Sequence, residues 1–417
     1  MVNLKKIYKR KIGIFGKGET GKKTERTLKL TYNKTLIYDD KIRKLNKIVY
    51  YTIKKLDFLI VSPGISKKHK IFKVCQLLNI PIYIDIDLLF FAAPKASYLT
   101  ITGTNGKSTN SIFLYNTLKY NKIRCSIGGN IGIAVLGLKH YYNFHEYYII
   151  ELSSYQLEII NNYKFKIRIL LSINPDHLNR HNSVQEYIEQ KLKILNKIEK
   201  EQVHIISIKN RINKKITINI NNNRKYLYLK KQKVYNNFKI KNAYIKRFKD
   251  LENLILIYRI LIKLVINKEK TKRQIKVLEK LKHRMGFVLK KRQLIFINNS
   301  KSTNIKSSEN MINSFRNIHW ILGGTLKEYS IKKTTNNILS IRHCYLIGKD
   351  YNKFLYYLIK KNVNFSINYN LTKITLLSEK INKGSVLLFP CCASTDQWNN
   401  FEKRGKYFVE TILIKYK

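Results

Sequence analysis

The chain has 417 residues, more than a single hydrophobic core comfortably serves, so two or three domains are expected. Hydrophobic residues make up 44% of it, enough for a globular protein. The formal net charge of +55 raises a nucleic-acid reading, but the lysines are dispersed along the chain and Asn, Ile and Tyr are abundant beside them, a pattern that fits A/T codon bias; no specific nucleic-acid partner is expected.

Cys75, Cys125, Cys344, Cys391 and Cys392 are odd in number and unevenly spaced, which argues against a disulfide framework or a zinc site and fits a reducing cytoplasm. The basic N-terminus has no apolar core of signal-peptide length. The most apolar helix-like stretch, 254–266, contains Arg259 and Lys263 and is too short for a membrane span, so it reads as a core helix.

Residues 11–18 read as a short strand entering a glycine turn that Thr20 and Gly21 continue. Further strands are expected at 36–38, ending in Asp39 and Asp40; at 58–61, ending in Ser62-Pro63-Gly64; and at 80–84. Strands separated by helix-length segments predict a parallel sheet with crossover helices, whose carboxyl edge is where such sheets bind ligands. Pro94 and the neighbouring alanines mark a first boundary near residue 92.

A strand through Tyr98, Leu99 and Ile101 then meets the glycine turn Gly103-Thr104-Asn105-Gly106, followed by Lys107, Ser108 and Thr109 at the start of a helix. Strand, turn and helix N-terminus together make an anion site: amides converge, the helix dipole adds positive charge, lysine reaches outer phosphates and a hydroxyl can ligate Mg²⁺. The spacing is not that of the general phosphate loop, because Ile101 stands where its first glycine would be. Residues 126–132 read as a second flexible loop, and 147–150 as a strand opening onto Glu151-Leu-Ser-Ser-Tyr-Gln-Leu-Glu158. A strand at 167–173 precedes Asn174-Pro175-Asp176-His177, and 184–198 reads as a helix with Val184, Ile188, Leu192 and Leu195 on one face. The Lys-, Asn- and Tyr-dense segment 208–247 reads as irregular or short β.

A helix at 271–283 ends near His283-Arg284. Strands then lead into Asn298–Asn304, Gly323-Gly324, Gly348 and Pro390–Trp398, so a third α/β unit begins near residue 285. The predicted division is 1–92, 93–284 and 285–417: a Rossmann-like unit, a phosphate-loop unit with a mostly parallel sheet, and a second Rossmann-like unit. Glu151 and His177 each end a strand segment near the phosphate loop, where a carboxylate and an imidazole suit divalent metal; a helix-capping carboxylate and an ordinary loop histidine are the alternatives. Glu158 reads as solvated or salt-bridged, and Lys301 from position alone is as well a surface lysine as a ligand.

In combination these motifs resemble the Mur ligase family of ATP-dependent amide-bond ligases in peptidoglycan synthesis, over about residues 12 to 410. The resemblance rests on the shortened phosphate loop 102–109, Gly128-Gly129-Asn130, the Glu151–Gln156 segment, Asp176-His177 and His283-Arg284 in order. Ser-Pro-Gly-Ile at 62–65, Asn-Ser-Lys-Ser-Thr-Asn at 299–304 and Cys-Ala-Ser-Thr-Asp-Gln at 392–397 followed by Phe401 are most similar to members that add D-glutamate to UDP-N-acetylmuramoyl-L-alanine. The resemblance implies ATP and Mg²⁺ as cofactors and those two substrates as partners; a monomer is expected. It implies catalytic roles for Lys107, Glu151, His177 and Lys191, the last as a carbamate, though a lysine-rich chain also offers a plain surface charge there. Metal would lie on Ser108 or Thr109, Glu151, His177 and Lys191. Nucleotide would lie on 103–109 with Asn253, Arg284 and Asn299. The uridine diphosphate would meet Thr20, Asp39 and Ser62, Asn130 would face the phosphates or muramoyl group, and Thr303, Lys327, Ser394 and Phe401 would form the D-glutamate pocket with Lys301 near the phosphates. The chain departs from the family pattern at Asn299, usually acidic; at Thr325-Leu326, before Lys327; at Lys249-Asp250; at Ser172; at Gly286; and in the polar first turn with Lys17 and Glu19.

Overall fold

The computed structural model describes residues 10–29, 34–40, 47–131, 134–137, 147–161, 165–178, 180–195, 203–206, 226–228, 283–303, 315–326, 340–371 and 383–416, with a few isolated positions between them. Residues 271–282 of the expected helix 271–283 and most of 254–266 lie outside them, as do Asn253 and Lys327; Ile260 and Leu261 are described, and both are buried. The chain forms two compact units, Met1–Pro175 with Arg180–Leu278, and Asp176–Asn179 with Glu279–Lys417.

The first unit carries two sheets. In chain order the first sheet comprises β1 (Lys11–Phe15), β2 (Lys34–Tyr38), β3 (Phe58–Val61) and β4 (Ile82–Tyr83), all parallel, in the order β2-β1-β3-β4. Helices α1 (Glu19–Lys29), α2 (Lys47–Lys54) and α3 (Lys70–Leu77) alternate with them, and α4 (Asp85–Ala92) follows. Thr20 and Gly21 lie on the first turn of α1, not in the glycine turn as expected, and the fourth strand is only two residues long. The turn closes sooner because Gly16 sits at φ +101°, a conformation glycine adopts without steric cost, and the helix starts directly beyond it.

The second sheet has the order β10-β9-β8-β5-β7-β6, parallel throughout its described strands: β5 (Ser97–Thr102), β6 (Cys125–Gly129), β7 (Tyr147–Glu151), β8 (Ile167–Leu170), β9 (Val203–Ile206) and β10 (Tyr226–Tyr228). Helices α5 (Lys107–Tyr120), α6 (Ser154–Ile159) and α7 (Val184–Leu192) belong to it. Two local expectations change. The glycine-rich stretch from 125 is the edge strand β6, because its backbone pairs with β7 from Cys125 to Gly129. The strand predicted over 167–173 stops at Leu170, where the chain turns to bond the phosphate loop.

Seven of the eight residues of α4 are buried, so this helix has no solvent face. It lies in a hydrophobic core running without a break from Ile12 of the first sheet to Leu195 behind the second. Tyr98 of β5 donates to the Leu89 and Ala93 carbonyls at 3.1 and 2.6 Å, and its ring meets Phe90 edge-on at 4.6 Å between centroids.

The second unit holds a mixed sheet of order β11-β12-β16-β13-β14-β15: β11 (Gly286–Lys291), β12 (Gln293–Asn298), β13 (Ile318–Gly323), β14 (Ile341–Ile347), β15 (Phe365–Tyr369) and β16 (Lys383–Leu388). Among its described strands only β11 runs antiparallel, as a hairpin with β12. Helices α8 (Asn352–Lys360) and α9 (Phe401–Tyr416) pair with this sheet's strands in sequence, and Phe408 and Ile412 of α9 enter its core. All five cysteines are free and buried; burial pushes Cys75 up to about 11 and Cys125 up to about 12, so neither thiol is a nucleophile at neutral pH. Among the described residues no helix is long and apolar enough to cross a membrane.

Candidate functional site

The phosphate loop forms where β5 must turn sharply into α5. Gly103 takes φ +145°, and a Cβ there would stand 2.6 Å from Leu171 Cβ. Gly106 is the left-handed N-cap of α5 at φ +84°. Backbone bonds from Leu171 N–H to the Thr102 carbonyl at 2.8 Å and from Thr104 N–H to the Ser172 carbonyl at 2.9 Å tie the loop to the chain leaving β8. The Thr104 hydroxyl donates to the Asn174 carbonyl and accepts from the Asn174 N–H, both at 2.9 Å. Its one proton is then committed, so in the 2.9 Å contact with Tyr187 it is the phenol that donates. Lys107 folds its ammonium over the loop, donating to the carbonyls of Gly103 at 2.9 Å and Thr104 at 3.0 Å. Ser108 and Thr109 open α5 and are largely buried.

Glu151 ends β7, whose register sets it opposite Ile101 of β5, two residues before the loop. Gly129 ends β6 at φ +100°, and any Cβ there would run into the Glu151 carbonyl oxygen. That close approach delivers Asn130, which donates its side-chain amide to Glu151 Oε1 at 3.1 Å and its backbone N–H to the Glu151 carbonyl at 2.9 Å. Glu151 is 2% exposed, and its Oε2 has no hydrogen-bond partner among the described residues. A buried carboxylate oxygen without a donor is costly unless a cation meets it. Among the described residues no three of His, Cys, Asp and Glu gather as a metal cage. One carboxylate beside helix-start hydroxyls fits Mg²⁺, which keeps several water and phosphate oxygens, better than a cation that demands an all-protein shell.

Lys191 comes to the same loop. It is 2% exposed on α7, 3.4 Å from the Thr102 hydroxyl, with its Nζ 5.0 Å from the centre of the Tyr187 ring. The buried face of α7 is therefore Tyr187 and Lys191, while Val184, Ile188 and Leu192 are only half-buried. Tyr187 was not among the expected site residues; its spacing four residues before Lys191 is the signal that could have found it.

Thr20, Asp39 and Ser62 all lie at the carboxyl edge of the first sheet. Asp39 accepts the Lys17 N–H at 2.6 Å, and the Ser62 hydroxyl donates to the Gly16 carbonyl at 3.0 Å, so the first turn is fastened on both sides.

His177 groups with the second unit. It is a non-glycine residue at φ +55°, with Asp176 accepting its backbone N–H at 2.9 Å and lying 3.6 Å from its Nε2. Left-handed backbone at a bulky residue is uncommon and gathers at functional sites.

Within the second unit, the loops after β12 and β16 and the start of α9 converge on Arg404. Fully buried, Arg404 donates to the Ser300 hydroxyl and carbonyl at 3.0 and 2.9 Å and to the carbonyls of Cys392 at 3.0 Å and Ala393 at 3.3 Å. Ser300 in turn donates to the Phe401 carbonyl at 2.8 Å. Lys301, Thr303, Ser394 and Phe401 are thereby gathered at one edge, with the Lys301 ammonium 3.7 Å from the centre of the Phe401 ring. Burial lowers Arg404 to about 10, which leaves it charged at neutral pH. Asn299 is buried and accepts the Met285 N–H at 3.3 Å, and Lys301 N–H donates to the His283 carbonyl at 3.1 Å, which fixes the backbone on either side of Arg284.

Residues 101–277 match the family described as the Mur ligase middle domain. The chain is 31% identical to UDP-N-acetylmuramoylalanine--D-glutamate ligase of Rickettsia felis, covering 96% of each chain, and 29% identical to the protein of that name from Rickettsia prowazekii, covering 96% of this chain and 97% of the other. It is 32% identical to the one from Buchnera aphidicola (subsp. Acyrthosiphon pisum, strain Tuc7) over 88% of this chain and 87% of the other. Among solved structures it is similar in fold to a UDP-N-acetylmuramate-alanine ligase from Thermotoga maritima, at 13% identity and a TM-score of 0.58 over 97% of this chain and 100% of that one. It is equally similar to a MurF ligase of the same organism in complex with ADP, at 13% identity and a TM-score of 0.58 over 100% and 98%.

Proposed function

The chain belongs to the Mur ligase family, and from that premise we propose that it is the ATP-dependent ligase that joins D-glutamate to UDP-N-acetylmuramoyl-L-alanine in peptidoglycan precursor synthesis. The observation that carries this reading is the phosphate loop with Lys107 folded over it and, on the adjacent strand, a Glu151 carboxylate oxygen without a partner among the described residues. A terminal carboxylate oxygen of the UDP-substrate attacks the γ-phosphorus of ATP, and ADP leaves with the bridging oxygen. The amine of D-glutamate then attacks the acyl carbon, phosphate departs, and the nitrogen loses a proton to leave an amide.

Such a reaction asks mainly for alignment and charge neutralisation. Lys107 and the amides opening α5 meet the β- and γ-phosphates. Glu151 with Ser108 or Thr109 would hold one Mg²⁺, and His177 with Lys191 would help hold another; the ions would supply neutralisation between the phosphates and the substrate carboxylate. Lys191 would serve there as a carbamate, formed when its amine adds to CO₂ with loss of a proton, which turns a buried cation into an oxygen donor. Asn130 orients Glu151 and faces the phosphates or muramoyl group. Asn253, Arg284 and Asn299 contact the nucleotide, Thr20, Asp39 and Ser62 the uridine diphosphate, and Thr303, Lys327, Ser394 and Phe401 the D-glutamate, with Lys301 near the phosphates. The expected domains 1–92, 93–284 and 285–417 would divide these tasks in a monomer.

Purified protein given ATP, Mg²⁺, UDP-N-acetylmuramoyl-L-alanine and D-glutamate is expected to release phosphate only when all four are present. Equal release with L-lysine, or with no amino acid, rejects the assignment. For the carbamate, Lys191→Ala is expected to be nearly inactive and to recover in part with added short carboxylates; an unaltered kcat in the variant removes the role.

A further inference from the structure

Arg180 lies in the segment between β8 and α7 and is the centre of a dense set of bonds. Its Nε and Nη2 donate to Glu158 Oε2 at 3.2 and 2.9 Å. Its Nη1 donates to the Gly64 carbonyl at 2.9 Å and its Nη2 to the Ile65 carbonyl at 2.8 Å. The guanidinium carbon stands 4.8 Å from the centre of the Tyr155 ring. The other Glu158 oxygen, Oε1, accepts the Lys67 N–H at 3.2 Å. Both charged side chains are about nine-tenths buried, at 11% and 9% exposed. Three backbone groups of the loop after β3 are thus held by one ion pair that belongs to the second sheet's elements.

The location gives those bonds a purpose. The loop they grip begins at Ser62, whose hydroxyl bonds the Gly16 carbonyl and so joins it to the first glycine turn. Glu158 sits on α6, the helix that starts three residues after Glu151; its N-terminus is fixed by Ser153 and Gln156 bonding each other's backbone N–H at 3.2 and 2.9 Å. The carboxyl edge of the first sheet is therefore referenced to the strand that bears the metal carboxylate. A planar, five-donor guanidinium suits two carbonyls and one carboxylate at once, which a lysine could not serve.

We propose that Arg180, held by Glu158 and Tyr155, is a positioning residue that sets the loop 62–67 as the docking edge for the uridine diphosphate end of the substrate. The proposal rests on the reading that this edge binds that group. Without Arg180 the Gly64 and Ile65 carbonyls lose their donors, the loop relaxes, and the UDP-substrate loses affinity while the phosphate loop is unaltered.

The test is direct binding to the full-length protein by titration calorimetry, with UDP-N-acetylmuramoyl-L-alanine and, separately, a non-hydrolysable ATP analogue. Arg180→Met is expected to weaken the UDP-substrate tenfold or more and to change the ATP analogue by less than twofold. Glu158→Gln is expected to act in the same direction, and the double variant to be no weaker than Arg180→Met, because both act through one contact set. Arg180→Lys is expected to recover little. Unchanged UDP-substrate affinity in Arg180→Met, or equal losses for both ligands, overturns the proposal; if that variant does not fold, the same comparison on Glu158→Gln decides. A wild-type protein that does not bind the UDP-substrate overturns the functional reading itself, and the positioning role with it.

Discussion

Replacing Lys107 by alanine is expected to lower kcat by about a hundredfold or more, the scale of losing one preorganised charge at a developing phosphoryl transition state. The ammonium is held by the Gly103 and Thr104 carbonyls, so it is in place before any ligand arrives and needs no reorganisation when charge builds. The loop itself should persist in the variant, because its shape rests on Gly103, on Gly106 and on the bonds of Thr104 to Asn174 and Tyr187. Lys107→Ala is therefore expected to melt close to the wild type while turning over far more slowly. Lys107→Arg should not restore it, since a longer planar fork cannot take the same seat above two carbonyls. Steady-state phosphate release beside a thermal melt separates the two effects, and turnover within threefold of wild type would show that this loop is not the phosphate site.

The second large effect concerns Arg404. Arg404→Met leaves the Cys392 and Ala393 carbonyls and both Ser300 oxygens short of a donor in a buried place. With each unsatisfied group costing about 1–3 kcal/mol, a loss of about 3 kcal/mol or more is expected. For a unit of this size that corresponds to a fall in Tm of about 6 °C or more. The melting transition of the carboxy-terminal unit should move while a fluorescent ATP analogue still reports an intact phosphate loop at low temperature. An unshifted melt would mean that water or neighbouring donors replace the guanidinium, and that Arg404 does not hold the pocket loops together.

What could be read from the chain divides by distance in sequence. The turn from β5 into α5 is legible because its parts are contiguous: strand, glycines, lysine and hydroxyls follow each other, and each has a local physical reason. Glu151 was legible for the same cause, as the polar end of a buried strand. Glu158 was expected to be solvated or salt-bridged, and it is paired with Arg180 at 2.9 Å. The partner was not readable, because Arg180 also bonds residues about 115 positions earlier, and no local pattern announces that. Arg404 was missed likewise: its acceptors at Ser300 are 104 residues away. In a chain with 81 lysines and arginines a single structural arginine has no compositional contrast. The loop expected over 126–132 is strand as far as Gly129: its glycines suit a turn, whereas Gly129 is required by the closeness of the Glu151 backbone.

The unbroken core around α4 has a further consequence. With the proposed uridine edge on one sheet and the proposed phosphate site on the other, the span between them is set by packed side chains and not by a linker. On that proposal the first unit works as a ruler. Nucleotide sugars whose acidic end falls short of the phosphate loop would be grasped by the uridine but never presented for chemistry, and selection by reach would come before any selection by side-chain contact.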